Sequence, residues 1–141
     1  MFENMNIGGT ADSETKASVC AAMTRLNTML SQHDLTIVGE FATDDTLLLG
    51  SDAGELAQGH AELSAFFDEL LSSPTTLSWN WHQVSVSALG TLAWLYADGK
   101  LVVHDGKGER QVPYRITGVL EKRQEKWLWR QFHGSEPVHS Q

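Results

Sequence analysis

The chain has 141 residues, of which 41% are hydrophobic and 9% aromatic, and its formal net charge is −8. This length and composition predict one globular domain with a core of its own. The acidic balance disfavours nucleic acid and anionic lipid as partners, because both carry negative charge. Cys20 is the single cysteine, which excludes an intrachain disulfide and a thiolate metal cluster.

The N-terminal segment shows no targeting signal. It has neither the basic start nor the apolar centre of a secretory signal, and no apolar run in the chain approaches the roughly 20 residues that a membrane span needs. We therefore expect a cytoplasmic protein without a membrane partner. Residues 1–12 are poor in apolar side chains and predict a mobile tail, so that residues 13–141 form the single domain.

Two main helices are predicted in the first half of the chain. The first begins at Asp12 or Ser13, which are suitable N-caps. Its apolar residues recur at spacings of three and four: Val19, Met23, Leu26 and Leu30. Asp34 caps a short apolar turn through Leu35, Val38 and Phe41. The second helix starts near Gly59 and ends near Leu71, before Pro74, with its own apolar stripe: Leu63, Phe66, Phe67, Leu70 and Leu71.

The remaining segments have the character of strands. A short strand is predicted at residues 46–49. Four long strands follow in "TLSWNWHQVSVS", "TLAWLYADGKLVVH", "RQVPYRITGVLEK" and "KWLWRQFHGS". The turns between them are too short for parallel crossovers, so we expect antiparallel hairpins. Pro113 indicates an edge or a bulge, because proline cannot donate to the ladder. Helices followed by a strand meander predict an α+β domain with the helices on one sheet face.

The last strand mixes polar and aromatic side chains on both of its faces. Simple alternation places two groups on opposite faces: Trp127, Trp129, Gln131, His133 and Ser135 on one, and Leu128, Arg130 and Phe132 on the other. Neither face is typical of plain core or plain surface. A polar-lined pocket and a subunit interface both explain the pattern.

Three stretches in this order resemble the nuclear transport factor 2-like superfamily, in its SnoaL-like branch. "GSDAGELAQGHAELSAFF" is similar to the strand, acidic turn and helix start of that branch, with Gly59 and His60 at the motif positions. "YRITGVLEK" resembles its arginine-threonine strand, with Arg115 and Thr117. The third stretch, "KWLWRQFHGSEP", is similar to its closing "H-x-S-x-P" motif: Trp127, His133, Ser135 and Pro137. The same ending occurs in the calcium/calmodulin-dependent protein kinase II association domain.

The resemblance implies a cone-shaped α+β fold, in which a strongly curved antiparallel sheet wraps around the N-terminal helices. It also implies a pocket inside the cone and a homodimer packed through the sheet. It says less about chemistry, since the superfamily contains isomerases, polyketide cyclases, dehydratases, transport factors and oligomerisation modules, and a fold does not set an activity. An excess of apolar positions on both faces of the last strands also favours the homodimer.

His133 and Arg115 are the first two candidate site residues. His133 is the candidate catalytic residue, as a proton donor or acceptor in the pocket; alternatively it is a buried histidine bonded to Ser135 or to the backbone. Arg115 would bind an anionic or enolate-like oxygen, pair with an internal carboxylate, or lie on the outer face at a dimer. The short turn between their strands predicts that the two residues face each other.

Aromatic residues on neighbouring strands complete the candidate pocket. Trp81, Trp94 and Tyr96 are assigned to it, as groups that clamp a flat apolar ligand. Trp79 shares a face with Trp81, and Trp94 shares one with Tyr96. Packing in the core or at a subunit interface is the alternative for each of these side chains.

Two classes of function remain open. One is an isomerase, cyclase or dehydratase acting on an apolar carbonyl compound, and the other is a non-catalytic ligand-binding or dimerisation module. An isomerase needs a carboxylate base and a phenol or neutral acid. The candidate carboxylates are Asp44, Asp45 and Asp98, which also suit turns, and the two phenols are Tyr96 and Tyr114. No cofactor is expected, and no metal, since the six histidines lack a metal-ligand spacing.

Overall fold

The computed structural model of the protein describes residues 5–42 and 45–138. Two α-helices, α1 (Ser13–Ser31) and α2 (Gly59–Ser72), and a 3-10 helix (Leu35–Glu40) precede the long strands. Seven strands lie within the described residues: β1 (Asn6–Gly8), β2 (Leu47–Leu49), β3 (Leu56–Gln58), β4 (Thr76–Leu89), β5 (Leu92–Asp105), β6 (Gly108–Arg123) and β7 (Lys126–Ser135). They form one sheet in the order β1-β4-β5-β6-β7-β2-β3. This α+β arrangement confirms the predicted fold class.

The helices agree closely with their sequence patterns. The side chain of Asp12 accepts a hydrogen bond from the Thr15 N–H (2.7 Å) and so caps α1. The whole predicted apolar stripe of α1 is buried against the sheet, and in α2 Leu63 and Phe67 are buried. The 3-10 helix differs from the prediction, because it buries Ile37 and leaves Leu35 about half exposed.

A buried carboxylate explains how the 3-10 helix is held. Glu40 is almost fully buried on the same helix. Its two oxygens meet Arg25 Nε at 2.8 Å and Lys126 Nζ at 3.0 Å. Because both cations neutralise the carboxylate, its burial is tolerated. Through these two ion pairs the 3-10 helix contacts both α1 and the start of β7.

The four long strands are antiparallel neighbours, as predicted. Two short strands that the sequence patterns did not indicate, β1 and β3, lie at the edges of the sheet. β1 belongs to the segment predicted as a tail, and it pairs in parallel with residues 83–85 of β4; residues 1–4 lie outside the described ranges. Pro113 lies on β6 just before the stretch that pairs with β7, so one side of its strand is an edge there.

Two bulges shape the sheet. On β4, Trp81 pairs with Gly99 and Gln83 pairs with Asp98, which leaves His82 as an extra residue. On β7, Trp129 pairs with Leu120 and Gln131 pairs with Val119, which leaves Arg130 extra. A bulge bends its strand and increases the twist. These two positions let the sheet curve around α1 and α2.

Candidate functional site

A cavity of about 390 Å³ lies between the helices and the inner face of the sheet. Most of its lining is apolar and comes from α1, α2, the 3-10 helix and the inner face of the sheet: Leu26, Leu30, Ile37, Phe41, Leu48, Phe66, Phe67, Leu70, Leu77, Trp79, Leu101, Val103, Val112 and Phe132. Its volume and its apolar lining fall within the range of small-molecule sites.

Tyr114 is the buried polar group of the cavity lining. It stands on the inner face of β6, and Ser51 is near its phenol in the cavity lining. Burial is the main cause that raises the pKa of Tyr114 above its usual value, and the charges of Glu55, Glu136 and Asp52 raise it further. The phenol is therefore protonated at neutral pH and available as a hydrogen-bond donor.

Gly134 makes room for this phenol. A Cβ at position 134 would lie 2.8 Å from Cζ and 2.9 Å from Cε2 of Tyr114, and closer still to its hydroxyl oxygen. Only a residue without a side chain lets the phenol end of Tyr114 approach β7 this closely. The glycine of the "HGS" sequence thus positions a cavity residue on the neighbouring strand.

Charged residues surround the mouth of the cavity. Asp52 and Glu55 follow β2, Glu136 follows β7, and Arg110 precedes Tyr114 on β6. Because β2 and β7 run parallel, their carboxyl ends meet at the same edge of the sheet. Glu55 Oε1 accepts a hydrogen bond from the Asp52 N–H at 2.8 Å, so this side chain also holds the loop.

Trp79 forms part of the cavity wall. It stacks on Trp81 with ring centroids 5.8 Å apart, and its centroid lies 5.6 Å from that of Phe132. The Asn27 side chain bonds both the N–H and the C=O of Trp79 at 2.9 Å, which fastens β4 to α1. The indole N–H of Trp79 is buried without a hydrogen-bond partner among the described residues.

The structure brings none of the five residues predicted for the pocket into the cavity lining. Trp81 lies on the inner face but packs behind Trp79 in the core. Trp94, Tyr96, Arg115 and His133 lie on the outer face of the sheet, where all four are exposed. His133 therefore has no access to the cavity, and neither does Arg115, so the placement of these four residues in the pocket was wrong.

The bulge at Arg130 explains this result for His133. Trp127 and Trp129 face inward, and strict alternation would place His133 on the same side. The extra residue shifts the phase by one, so Phe132 and Gly134 face inward while His133 faces outward. Alternation along a single strand cannot show such a shift.

The predicted pairing of Arg115 with His133 is also displaced. Arg115 pairs with Ser135, and His133 pairs with Thr117, so the two predicted partners are diagonal neighbours on one face. Tyr96 is the next residue in the row of Thr117 and His133. The outer face thus collects aromatic, cationic and imidazole groups, but away from the cavity.

Two of the candidate carboxylates, Asp45 and Asp98, are likewise outside the cavity lining. Asp45 forms an ion pair with Arg130 (3.3 Å), Asp98 pairs in register with Arg115, and Asp44 lies outside the described residues. Within residues 5–42 and 45–138 no group of three or more metal-ligating side chains is placed to hold an ion. In the same ranges no helix is long and apolar enough to cross a bilayer.

Sequence comparison assigns this architecture to a known family. The sequence model of the SnoaL-like domain matches residues 19–139. The chain belongs to the SnoaL-like domain family. No curated protein matches the chain significantly.

Solved structures with low sequence identity share this fold. A Xanthomonas campestris protein, provisionally named a calcium/calmodulin-dependent protein kinase II association domain, is 22% identical, with 99% of each chain covered and a TM-score of 0.78. A provisionally named dehydratase of the NTF2-like family from Streptomyces avermitilis is 14% identical, covering 91% of this chain and 100% of its own, with a TM-score of 0.78.

A third similar structure was solved as a complex. The Catenulispora acidiphila protein, solved in complex with S-DNPA, is 11% identical, covering 89% of this chain and 95% of its own, with a TM-score of 0.78. At these identities the likeness shows the fold alone. The cavity residues of this chain have to be interpreted from its own side chains.

Tyr114 is the site residue that the sequence analysis did not assign to the pocket. The sequence offered one signal, the pairing of a tyrosine in "VPYRITG" with the glycine in "FHGSEP". These residues meet only because β6 and β7 are neighbours with this register. The signal becomes meaningful once the pairing of the strands is known.

Proposed function

We propose that the protein binds a small, mostly apolar molecule in the cavity, with an oxygen acceptor on that molecule meeting the phenol of Tyr114. The observation that carries the proposal is a single buried phenol in an otherwise largely apolar cavity of about 390 Å³. Apolar walls with few polar groups are the usual design of a site that orients a small ligand. A carbonyl or hydroxyl oxygen matches a protonated phenol.

The aromatic part of the lining supports a flat ligand. Phe66 and Phe67 meet edge to face on α2, and Trp79 and Phe132 are tilted towards each other on the opposite wall. Rings arranged in this way offer both faces and edges to a second ring system. The Catenulispora acidiphila protein, which has the same fold, is solved in complex with S-DNPA, and this complex supports the proposal of a ligand-binding role.

The proposal assigns binding and no reaction step. His133 is on the outer face, and the carboxylates nearest the phenol stand at the solvent-facing mouth. A proton-transfer enzyme needs its acid or base within hydrogen-bond reach of the reacting atoms. The alternative of a non-catalytic ligand-binding module is therefore favoured over an isomerase, cyclase or dehydratase acting through His133.

We also propose a homodimer through the outer sheet face. Leu92, Trp94 and Tyr96 follow one another along the exposed side of β5, with side chains 43%, 48% and 39% exposed. An exposed stripe of large apolar groups marks an interaction surface. The neighbouring Arg115 and His133 would then contribute polar contacts at this interface. A cytoplasmic location stays a prediction from the sequence.

Prodan, a neutral aromatic ketone whose emission shifts to the blue in apolar surroundings, tests the binding proposal. We expect a blue shift that saturates with protein concentration. Leu101→Trp, which fills the cavity, should abolish the shift, whereas Leu92→Trp on the outer face of the same strand should preserve it. Saturable binding that Leu101→Trp leaves intact would place the ligand elsewhere.

The role of the phenol is tested by two matched substitutions. Tyr114→Phe removes one hydrogen bond, which is worth about 0.5–1.5 kcal/mol, so prodan affinity should fall about two- to tenfold. Tyr96→Phe changes the same group on the outer face and should leave the affinity unchanged. Equal affinities of the two variants would contradict a hydrogen bond from Tyr114 to the ligand.

A further inference from the structure

The charges at the cavity mouth are unbalanced. Among residues 5–42 and 45–138, four charged residues belong to the cavity lining, namely Asp52, Glu55, Glu136 and Arg110, which gives three negative charges and one positive. The other lining residues in these ranges are uncharged, with no lysine or histidine among them. A charged ligand group at the mouth therefore meets a net negative environment, which agrees in sign with the whole chain at −8.

The carboxylates converge because of the sheet topology. Leu49, the last residue of β2, pairs with His133 near the end of β7. The chain then continues from both strands into the mouth, reaching Asp52 on one side and Glu136 on the other. All three carboxylates contribute to raising the pKa of Tyr114, so their field reaches the polar group of the cavity.

The aromatic rings of the lining also favour a positively charged ligand group, and they do so inside the cavity. Six aromatic residues line it: Phe41, Phe66, Phe67, Trp79, Tyr114 and Phe132. A ring face attracts a cation, and the attraction strengthens when water is excluded. An ammonium group near the mouth would thus meet carboxylates on one side and ring faces on the other. For a carboxylate ligand, Arg110 is the one favourable charge among the described residues of the lining.

Resting on the proposed binding function, we propose that the cavity selects apolar molecules that carry an ammonium group and discriminates against apolar carboxylates. The carboxylates alone would mark no site; here they surround the opening of a cavity that is already formed. Solvent at the mouth weakens each charge contact, because ion pairs that are exposed to water are weak. Three such contacts correspond to a preference of about tenfold for the ammonium over the carboxylate.

Three probes with one apolar body separate charge from shape: 1-naphthylmethylamine, 1-naphthalenemethanol and 1-naphthaleneacetate. Titration calorimetry of the full chain at pH 7 should give the highest affinity for the amine and the lowest for the acetate. Added salt should reduce the difference in affinity between the amine and the acetate, because the charges at the mouth are exposed to solvent. An acetate that binds as tightly as the amine, or more tightly, would overturn the inference. It would indicate that Arg110 determines the charge preference at the mouth.

The double variant Asp52→Asn/Glu136→Gln removes two of the three charges and leaves the Glu55 loop contact in place. We expect the amine-to-acetate ratio to fall to about threefold or less, with unchanged affinity for the alcohol. Asp68→Asn/Glu69→Gln, on the exposed side of α2, changes the total charge equally and should preserve the ratio.

The outcomes distinguish this inference from the proposed function. Binding of all three probes with no charge preference contradicts only the inference. A ratio that persists in the mouth variant, or that falls equally in the α2 variant, also contradicts it. Failure of all three probes to bind would contradict the binding function itself, and the inference with it.

Discussion

Gly134→Ala tests whether the cavity phenol depends on its glycine. The substituted Cβ would lie 2.8 Å from Cζ of Tyr114, whereas carbon atoms pack at about 3.5–4.0 Å. The ring would have to retreat by about 1 Å. Gly134 does not have a positive φ, so an alanine meets no backbone penalty there, and the three atoms nearest to its Cβ all belong to Tyr114.

Two opposing contributions set the expected change in the free energy of unfolding of Gly134→Ala. Overpacking of a buried site costs about 1–3 kcal/mol, and the reduced freedom of the unfolded chain returns about 0.4–1 kcal/mol. A net loss of about 1–2 kcal/mol in the free energy of unfolding results. For a domain of this length, each kcal/mol corresponds to about 2–4 °C in the melting temperature.

Urea unfolding of four variants would measure this effect: Gly134→Ala, Gly106→Ala, Tyr114→Val and the double variant Tyr114→Val/Gly134→Ala. Gly106→Ala is the control, because a Cβ there meets nothing within 4 Å and should not reduce stability. In a Tyr114→Val background the ring is gone, so Gly134→Ala should cost almost nothing further. A cost that persists in that background, or a Gly134→Ala protein as stable as the Gly106→Ala control, would refute the reasoning.

Three further predictions concern separate parts of the molecule. Asn27→Ala leaves the N–H and C=O of Trp79 without their side-chain partner. The free energy of unfolding should therefore fall by about 2–3 kcal/mol in urea titration. An unchanged free energy would contradict a stabilising role of these two hydrogen bonds. Because the pKa of Tyr114 is raised in the folded state, the fold binds that proton more tightly than the unfolded chain. Stability should therefore decrease as pH rises above about 10, and Tyr114→Phe should remove that component in alkaline melts. Trp94→Asp should convert the proposed dimer to a monomer in sedimentation at micromolar concentration, whereas His60→Asp on α2 should not; a dimer that survives Trp94→Asp would exclude this face.

The sequence by itself determined the elements that depend on local patterns. The start of α1 at its Asp12 cap, the end of α2 before Pro74 and the antiparallel order of the four long strands were all predicted, because caps, periodicity and short turns act within a few residues of one another. The family resemblance through its three motifs was likewise sufficient for the fold.

Only the tertiary structure decided which residues face the cavity. The bulges at His82 and Arg130 are defined by pairing with β5 and β6, and each reverses the face of every residue that follows on its strand. One such reversal moved His133 from the predicted pocket to the outer face. The contact between Tyr114 and Gly134 depends on the same register. Local patterns contain no information about that register, because it results from the packing of distant segments.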